Sequence, residues 1–235
     1  MIIAANLKTN LTRRQTNKYV EDLEAYVSKN SISQKVIVFP AMSSLDSFKT
    51  SVTIGAQNAY PTKNGAFTGE IGLDHLNEFD INTILIGHSE RRHILGETQE
   101  SLVAKFNFYK DLGFTIVYCI GEPLAKREAG KEEMMEYISS QYEGIDTEYE
   151  NLIIAYEPVW AIGTGLTPTL EDIENIHTEL KEKSQAPLLY GGSVKVSNSK
   201  EVLALKNVDG ILVGSAALYV EHFCQMIENA EEIEK

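Results

Sequence analysis

Short apolar runs bounded by turn residues recur along the chain at Ile2–Ala5, Val36–Phe39, Thr53–Ala56, Thr83–Ile86, Thr115–Cys119, Leu152–Tyr156, Leu188–Tyr190 and Gly210–Val213. Near-continuous runs of this kind fit parallel strands buried on both faces. Helical periodicity fills several of the gaps. Tyr19, Val20, Leu23, Tyr26 and Val27 share one face, Leu102, Phe106 and Tyr109 another, and Leu170, Ile173, Ile176 and Leu180 a third. Thr169 followed by Asp172 supplies a capping-type start for the last of these. Strands alternating with helices leave two architectures, an open doubly wound sheet or a closed eight-stranded parallel β/α barrel. The length of 235 residues, the eight strand candidates and the lack of any Pro/Ser-rich seam, low-complexity tract or close repeat favour one barrel domain spanning residues 1–235.

Ala59–Leu73 stands apart as a long segment carrying Gly65, Gly69 and the apolar Phe67. Long loops inside compact domains are usually functional. An exposed Phe67 asks for a socket, which another subunit would supply, although a loop packed on itself satisfies the same requirement. Hydrophobic residues at 43% and charged residues at 23% are ordinary globular values. The net charge of −13 argues against a nucleic-acid partner, because phosphate neutralisation needs a basic face. An anionic ligand would have to be held by a local positive site. Met1–Ala5 lacks the basic flank and length of a signal segment, and no apolar stretch reaches membrane-spanning length. Cys119 and Cys224 make no disulfide framework, and the chain is expected to be cytoplasmic.

In a β/α barrel the chemistry gathers at the carboxyl ends of the strands. Those ends read Asn6-Leu7-Lys8, Gly87-His88-Ser89-Glu90, Tyr156-Glu157-Pro158, Gly191-Gly192-Ser193 and Gly214-Ser215. Each has an ordinary structural use when taken singly. Converging on one pocket, a carboxylate, an ammonium, an imidazole and two glycine turns suit proton abstraction beside a carbonyl. The glycine turns can aim several backbone N–H groups, and the start of a following helix, at one phosphate. After Glu157 comes Pro158-Val159-Trp160-Ala161-Ile162-Gly163-Thr164-Gly165, small residues bracketing apolar ones, as in a lid that excludes water when it closes. A helix opening at Ser89 would favour neutral imidazole at His88. Burial beneath a lid would raise the Glu157 carboxyl toward a useful basicity.

Asn6-x-Lys8, Gly87-His88-Ser89-Glu90-Arg91-Arg92, the run from Ala155 through Gly165 and Tyr190-Gly191-Gly192-Ser193-Val194 together resemble the triosephosphate isomerase family, and the likeness runs from residue 2 to the last helix. The resemblance implies interconversion of dihydroxyacetone phosphate and glyceraldehyde 3-phosphate through an enediolate, in glycolysis and gluconeogenesis, with no metal and no organic cofactor. It implies Glu157 as base, His88 as neutral electrophile, Lys8 and Asn6 as stabilisers of the enediolate, and Glu90 beside them in a less settled role. It further implies that the backbones of Gly163, Ser193, Gly214 and Ser215 hold the phosphate and that Tyr190 and Ser193 latch the lid. Phe67 and Thr68 are implied to cross a homodimer interface, with Thr68 reaching toward Asn6 and Lys8 of the other subunit.

Some positions depart from the family. Leu7 and Thr9 replace the usual Trp and Met, Ser215 replaces a glycine, Leu166-Thr167-Pro168 replaces the usual second lid hinge, and only 36 positions separate Glu157 from Ser193. A left-handed backbone at Ser215 would cost ~1–2 kcal/mol. Arg92 and Glu97 read as structural ion-pair residues, and Cys119 as a packing residue. A Schiff-base aldolase would want a lysine where Glu157 stands, and a phosphoribosyl isomerase a different acid–base pair. A silent binding protein would have no use for the whole residue set.

Overall fold

The structure is a computed structural model that describes residues 1–162 and 166–233. Its elements in chain order are β1 (Ile2–Asn6), α1 (Arg13–Asn30), β2 (Lys35–Phe39), β3 (Thr53–Ile54), α2 (Leu73–Glu78), β4 (Thr83–Ile86), α3 (Ser89–His93), α4 (Gln99–Asp111), β5 (Thr115–Ile120), α5 (Leu124–Glu128), α6 (Lys131–Ser140), β6 (Leu152–Tyr156), α7 (Leu170–Lys181), β7 (Leu188–Tyr190), α8 (Val196–Leu203), β8 (Gly210–Val213) and α9 (Val220–Glu231). All the strands are parallel, in the order β3-β2-β1-β8-β7-β6-β5-β4. The last seam of the ring is closed by a single bridge between Ala56 and Ile84, through Ala56 N–H to Thr83 O at 2.9 Å and Leu85 N–H to Ala56 O at 2.8 Å. The open-sheet alternative is thereby set aside. No described helix is long and apolar enough to cross a membrane.

Side-chain alternation along each strand divides the core in two. Ala4, Ile37, Phe39, Leu85, Val117, Cys119, Ile153, Ala155, Leu189 and Leu212 fill the barrel interior. The intervening residues pack outward against the helices, which return apolar faces such as Tyr19, Val20 and Leu23 of α1 or Leu102, Phe106 and Tyr109 of α4. The expected cap of α7 is present, with Thr169 N–H and hydroxyl donating to the Asp172 carboxylate at 3.1 and 2.7 Å.

Three expectations need correction. The third strand stops at Ile54 rather than Ala56: Gly55 N–H still donates to Val38 O of β2 at 2.9 Å, and the next residue, Ala56, turns its bridge to the other neighbour, Ile84 of β4. Leu170 belongs to the first turn of α7 and is 39% exposed, so the buried stripe there is Ile173, Ile176 and Leu180. Arg92, expected as an ion-pair residue, forms no ion pair among the described residues: its guanidinium donates to Gly87 O, Gln99, Tyr118 OH and Cys119 O. Glu97 is an ion-pair residue as expected, and pairs with Arg91 and with the buried Lys105, which also donates to Asn58 at 2.7 Å.

Candidate active site

The alternation that fills the barrel also builds its open end. Two residues beyond the interior Ala4, Ala155, Leu189 and Leu212 come Asn6, Glu157, Gly191 and Gly214, which therefore face the same axis. They line a cavity of about 270 Å³ together with Lys8, His88, Ile162, Ser193 and Ser215. A neighbouring cavity of about 330 Å³ shares Asn6, Lys8 and His88 and extends over Gln57, Glu70 and Leu95.

Glu157 is 2% exposed. One carboxylate oxygen accepts the Ser89 backbone N–H at 2.8 Å, and the other lies 3.0 Å from His88 Nε2. Gly121 makes this close packing possible: a Cβ there would lie 1.8 Å from the Glu157 carbonyl oxygen, and its φ of +159° suits glycine. His88 is the residue before α3, and its Nδ1 accepts the Glu90 N–H at 3.3 Å, which leaves the ring proton on Nε2 facing the carboxylate. Burial works to lower the His88 ring, but the Glu157 carboxylate holds it above its ordinary value. Burial would likewise raise Glu157, yet His88, the Ser89 N–H and Lys8 hold the carboxyl below its ordinary value. The expectation of a raised Glu157 carboxyl is therefore reversed in this arrangement, since the carboxylate and the imidazole are engaged with each other. Nor does the start of α3 act alone on the ring.

Lys8 has a left-handed backbone, with φ at +51°. For a residue with a Cβ this costs ~1–2 kcal/mol and persists only where the surroundings enforce it. The enforcing contacts are local. Asn6 Oδ1 accepts the Lys8 N–H at 3.0 Å, and Gln57 Nε2 donates to Lys8 O at 2.8 Å and to Phe39 O at 2.9 Å. The ammonium reaches Glu90 Oε1 at 2.5 Å.

The wall facing these groups is backbone. Ser193 follows the Gly191-Gly192 turn, and Gly214 precedes a short helical turn that opens at Ser215. Ser215 is absent from the described non-glycine residues with positive φ, so the strain considered for it does not arise. Tyr190 is fully buried, with its hydroxyl against Gly192, where a Cβ would lie 2.2 Å away. Ser193 Oγ donates to Ala161 O at 2.5 Å and so ties this wall to the segment after Glu157. Pro158 and Ala161 are buried there, and Val159, Trp160 and Ile162 half-buried; Gly163, Thr164 and Gly165 lie outside the described residues. Phe67 stacks on Tyr60 with ring centroids 4.3 Å apart and remains 41% exposed; Thr68 beside it is exposed. Cys119 is buried beneath Glu157, and burial pushes its thiol well up.

Reading strand ends for glycine and charge misses three residues. Gln57 lies just past the Ala56 bridge, Glu122 follows β5, and Arg127 lies in α5. Glu122 is fully buried and accepts Tyr156 OH at 3.1 Å and Trp160 Nε1–H at 2.9 Å. Gly121-Glu122-Pro123 carries the same kind of signal as the other strand ends. Among the described residues no group of three or more His, Cys, Asp or Glu side chains is arranged to hold a metal ion.

The family model for triosephosphate isomerase matches residues 1–230. A triosephosphate isomerase of Sulfurimonas denitrificans is 72% identical over 235 residues, covering 100% of this chain and 98% of the relative. Others from a Sulfurovum and a Nitratiruptor species are 56% and 54% identical, covering 97% and 99% of this chain and 99% and 100% of those relatives. The chain belongs to the triosephosphate isomerase family.

Proposed function

We propose that this chain interconverts dihydroxyacetone phosphate and D-glyceraldehyde 3-phosphate by moving one proton between adjacent carbons. The observation that carries the reading is the Glu157–His88 contact at 3.0 Å over a cavity whose opposite wall is the backbone at Ser193, Gly214 and Ser215. Phosphate bound at that wall, with Gly163 as a further donor, sets the carbonyl end of a triose against His88. Glu157 then leaves the Ser89 N–H, takes a proton from one carbon and returns it to the next. His88 Nε2–H polarises the substrate oxygens, and Lys8 with Asn6 compensates the charge of the enediolate. Glu90 holds the ammonium until substrate arrives.

Residues 158–165 act as the lid and Tyr190 with Ser193 as its latch. Closure strips water from Glu157 and replaces its present partners with substrate, which lifts its basicity; this family is itself a standing example of such a lid. A homodimer completes the site. Ile94 and Leu95 are 76% and 64% exposed, and Leu95 lines the second cavity, which has room for a loop tip such as Phe67-Thr68 of another copy. Assays coupled to a nicotinamide cofactor test the activity in both directions, through oxidation of its reduced form when dihydroxyacetone phosphate is the product and reduction of its oxidised form when D-glyceraldehyde 3-phosphate is the product. Glu157→Gln removes turnover while leaving inorganic phosphate binding; turnover within tenfold of the unaltered chain refutes the assignment of the base.

A further inference from the structure

Arg127 touches both flanks of the lid and neither cavity wall that meets substrate. Its guanidinium carbon lies 4.6 Å from the centroid of the Trp160 ring, near the start of the lid. Its Nη2 donates to Asp172 at 3.0 Å, past the lid on α7. Trp160 in turn donates its indole N–H to Glu122, whose carboxylate lies 3.7 Å from Arg127 Nη1. Asp172 uses its other oxygen to cap α7 through Thr169. A planar guanidinium can stack on an aromatic face and bond a carboxylate edge at the same time, which an ammonium cannot.

We propose that Arg127 is a positioning residue that straps the two ends of the lid together, so that closure does not also have to order those ends. The inference rests on the lid reading given above. Without the strap, each binding event also fixes Trp160 and the start of α7, and that entropic cost falls on substrate binding. The reacting groups Glu157, His88 and Lys8 lie on strand ends that Arg127 does not touch.

The chain holds a single tryptophan, so its fluorescence reports Trp160 alone. Arg127→Met is expected to raise KM about three- to tenfold, with kcat within about twofold, and to increase acrylamide quenching of Trp160 in the ligand-free protein. Arg127→Lys should fall between, keeping the charge but losing the stacked plane. Asp172→Asn should raise KM as well, and the pair combined should raise it by less than the product of the single effects. If Arg127→Met fails to fold by circular dichroism, Arg127→Lys and Asp172→Asn carry the test, because both side chains involved are partly exposed. Unchanged KM and quenching in the folded variants, or purely multiplicative effects, overturn the strap. Trp160 emission of the unaltered chain that ignores saturating glycerol 3-phosphate overturns the lid reading itself, and the strap with it.

Discussion

Gln57→Met tests how the site keeps Lys8 in place. The substitution preserves length but removes the amide that donates to Lys8 O and Phe39 O. Phe39 O retains the Leu7 N–H at 3.0 Å, so only the Lys8 carbonyl is left without its donor. One half-buried carbonyl losing its partner costs about 1–2 kcal/mol. In a protein of this size that lowers the melting temperature by about 2–8 °C. The larger consequence is local. The left-handed Lys8 backbone stores ~1–2 kcal/mol that Gln57 helps to offset. Once released, that strain must be reimposed whenever the ammonium meets the enediolate, which lowers kcat/KM about 5- to 30-fold. The coupled assay and a melting curve read both effects, and inhibition by inorganic phosphate serves as control, because Gln57 is remote from the Ser193–Gly214 wall. A melting temperature lowered as expected with kcat/KM within twofold of the unaltered chain would show that Lys8 holds its position without Gln57.

Further outcomes follow from other contacts. Lys8→Met should fold normally and lose at least about 10²–10³-fold in kcat, since the ammonium that compensates the enediolate is removed; near-normal turnover counters this. Gly121→Ala sets a Cβ 1.8 Å from the Glu157 carbonyl, so circular dichroism should show little folded protein; an unchanged melting curve with full activity contradicts the packing argument. Glu24, held at about 2 by the Ser28 and Thr50 hydroxyls and the Ser51 N–H, clasps residues 50–51 to α1. Its folded value lies below the ordinary 4.5, so its stabilisation is complete above 4.5 and disappears as pH falls toward 2. Glu24→Gln should therefore lower the melting temperature at neutral pH and flatten its decline across that acid interval; parallel melting curves for both proteins would remove Glu24 from the account. Shortening the loop around 65–69 should give a monomer by sedimentation with most activity lost, and a fully active monomer defeats the proposed role of Phe67 and Thr68.

The strand ends carried much of the site in plain sight. A period of two along β1, β6, β7 and β8 already places Asn6, Glu157, Gly191 and Gly214 around one axis, because a strand with a fixed inward face has no freedom in where its next alternate residue points. Pairings across long stretches of chain were hidden. Gln57 meets Lys8 from 49 positions away, and Trp160 meets Glu122 from 38, distances over which composition and periodicity carry no signal. The protonation balance of Glu157 was hidden for the same reason. Burial could be foreseen from an apolar strand, but the opposing pull of His88 and the Ser89 N–H depends on distances only the fold supplies. Arg92 shows the same limit: its charge suggests an ion pair, but the fold turns its guanidinium onto carbonyl, amide and hydroxyl groups, whereas Glu97 does pair with Arg91 and Lys105.

The bridge from Ala56 to Ile84 is the narrowest join in the ring. Gln57, the residue that steadies Lys8, is its immediate neighbour along the chain. Opening the ring at that join would displace the same amide, so that loosening of the scaffold and misplacement of the ammonium would become a single event. A second copy seated over this region would brace the join from outside. Assembly would then matter for catalysis through the rigidity it lends to one carbonyl, besides any atom it contributes to the pocket.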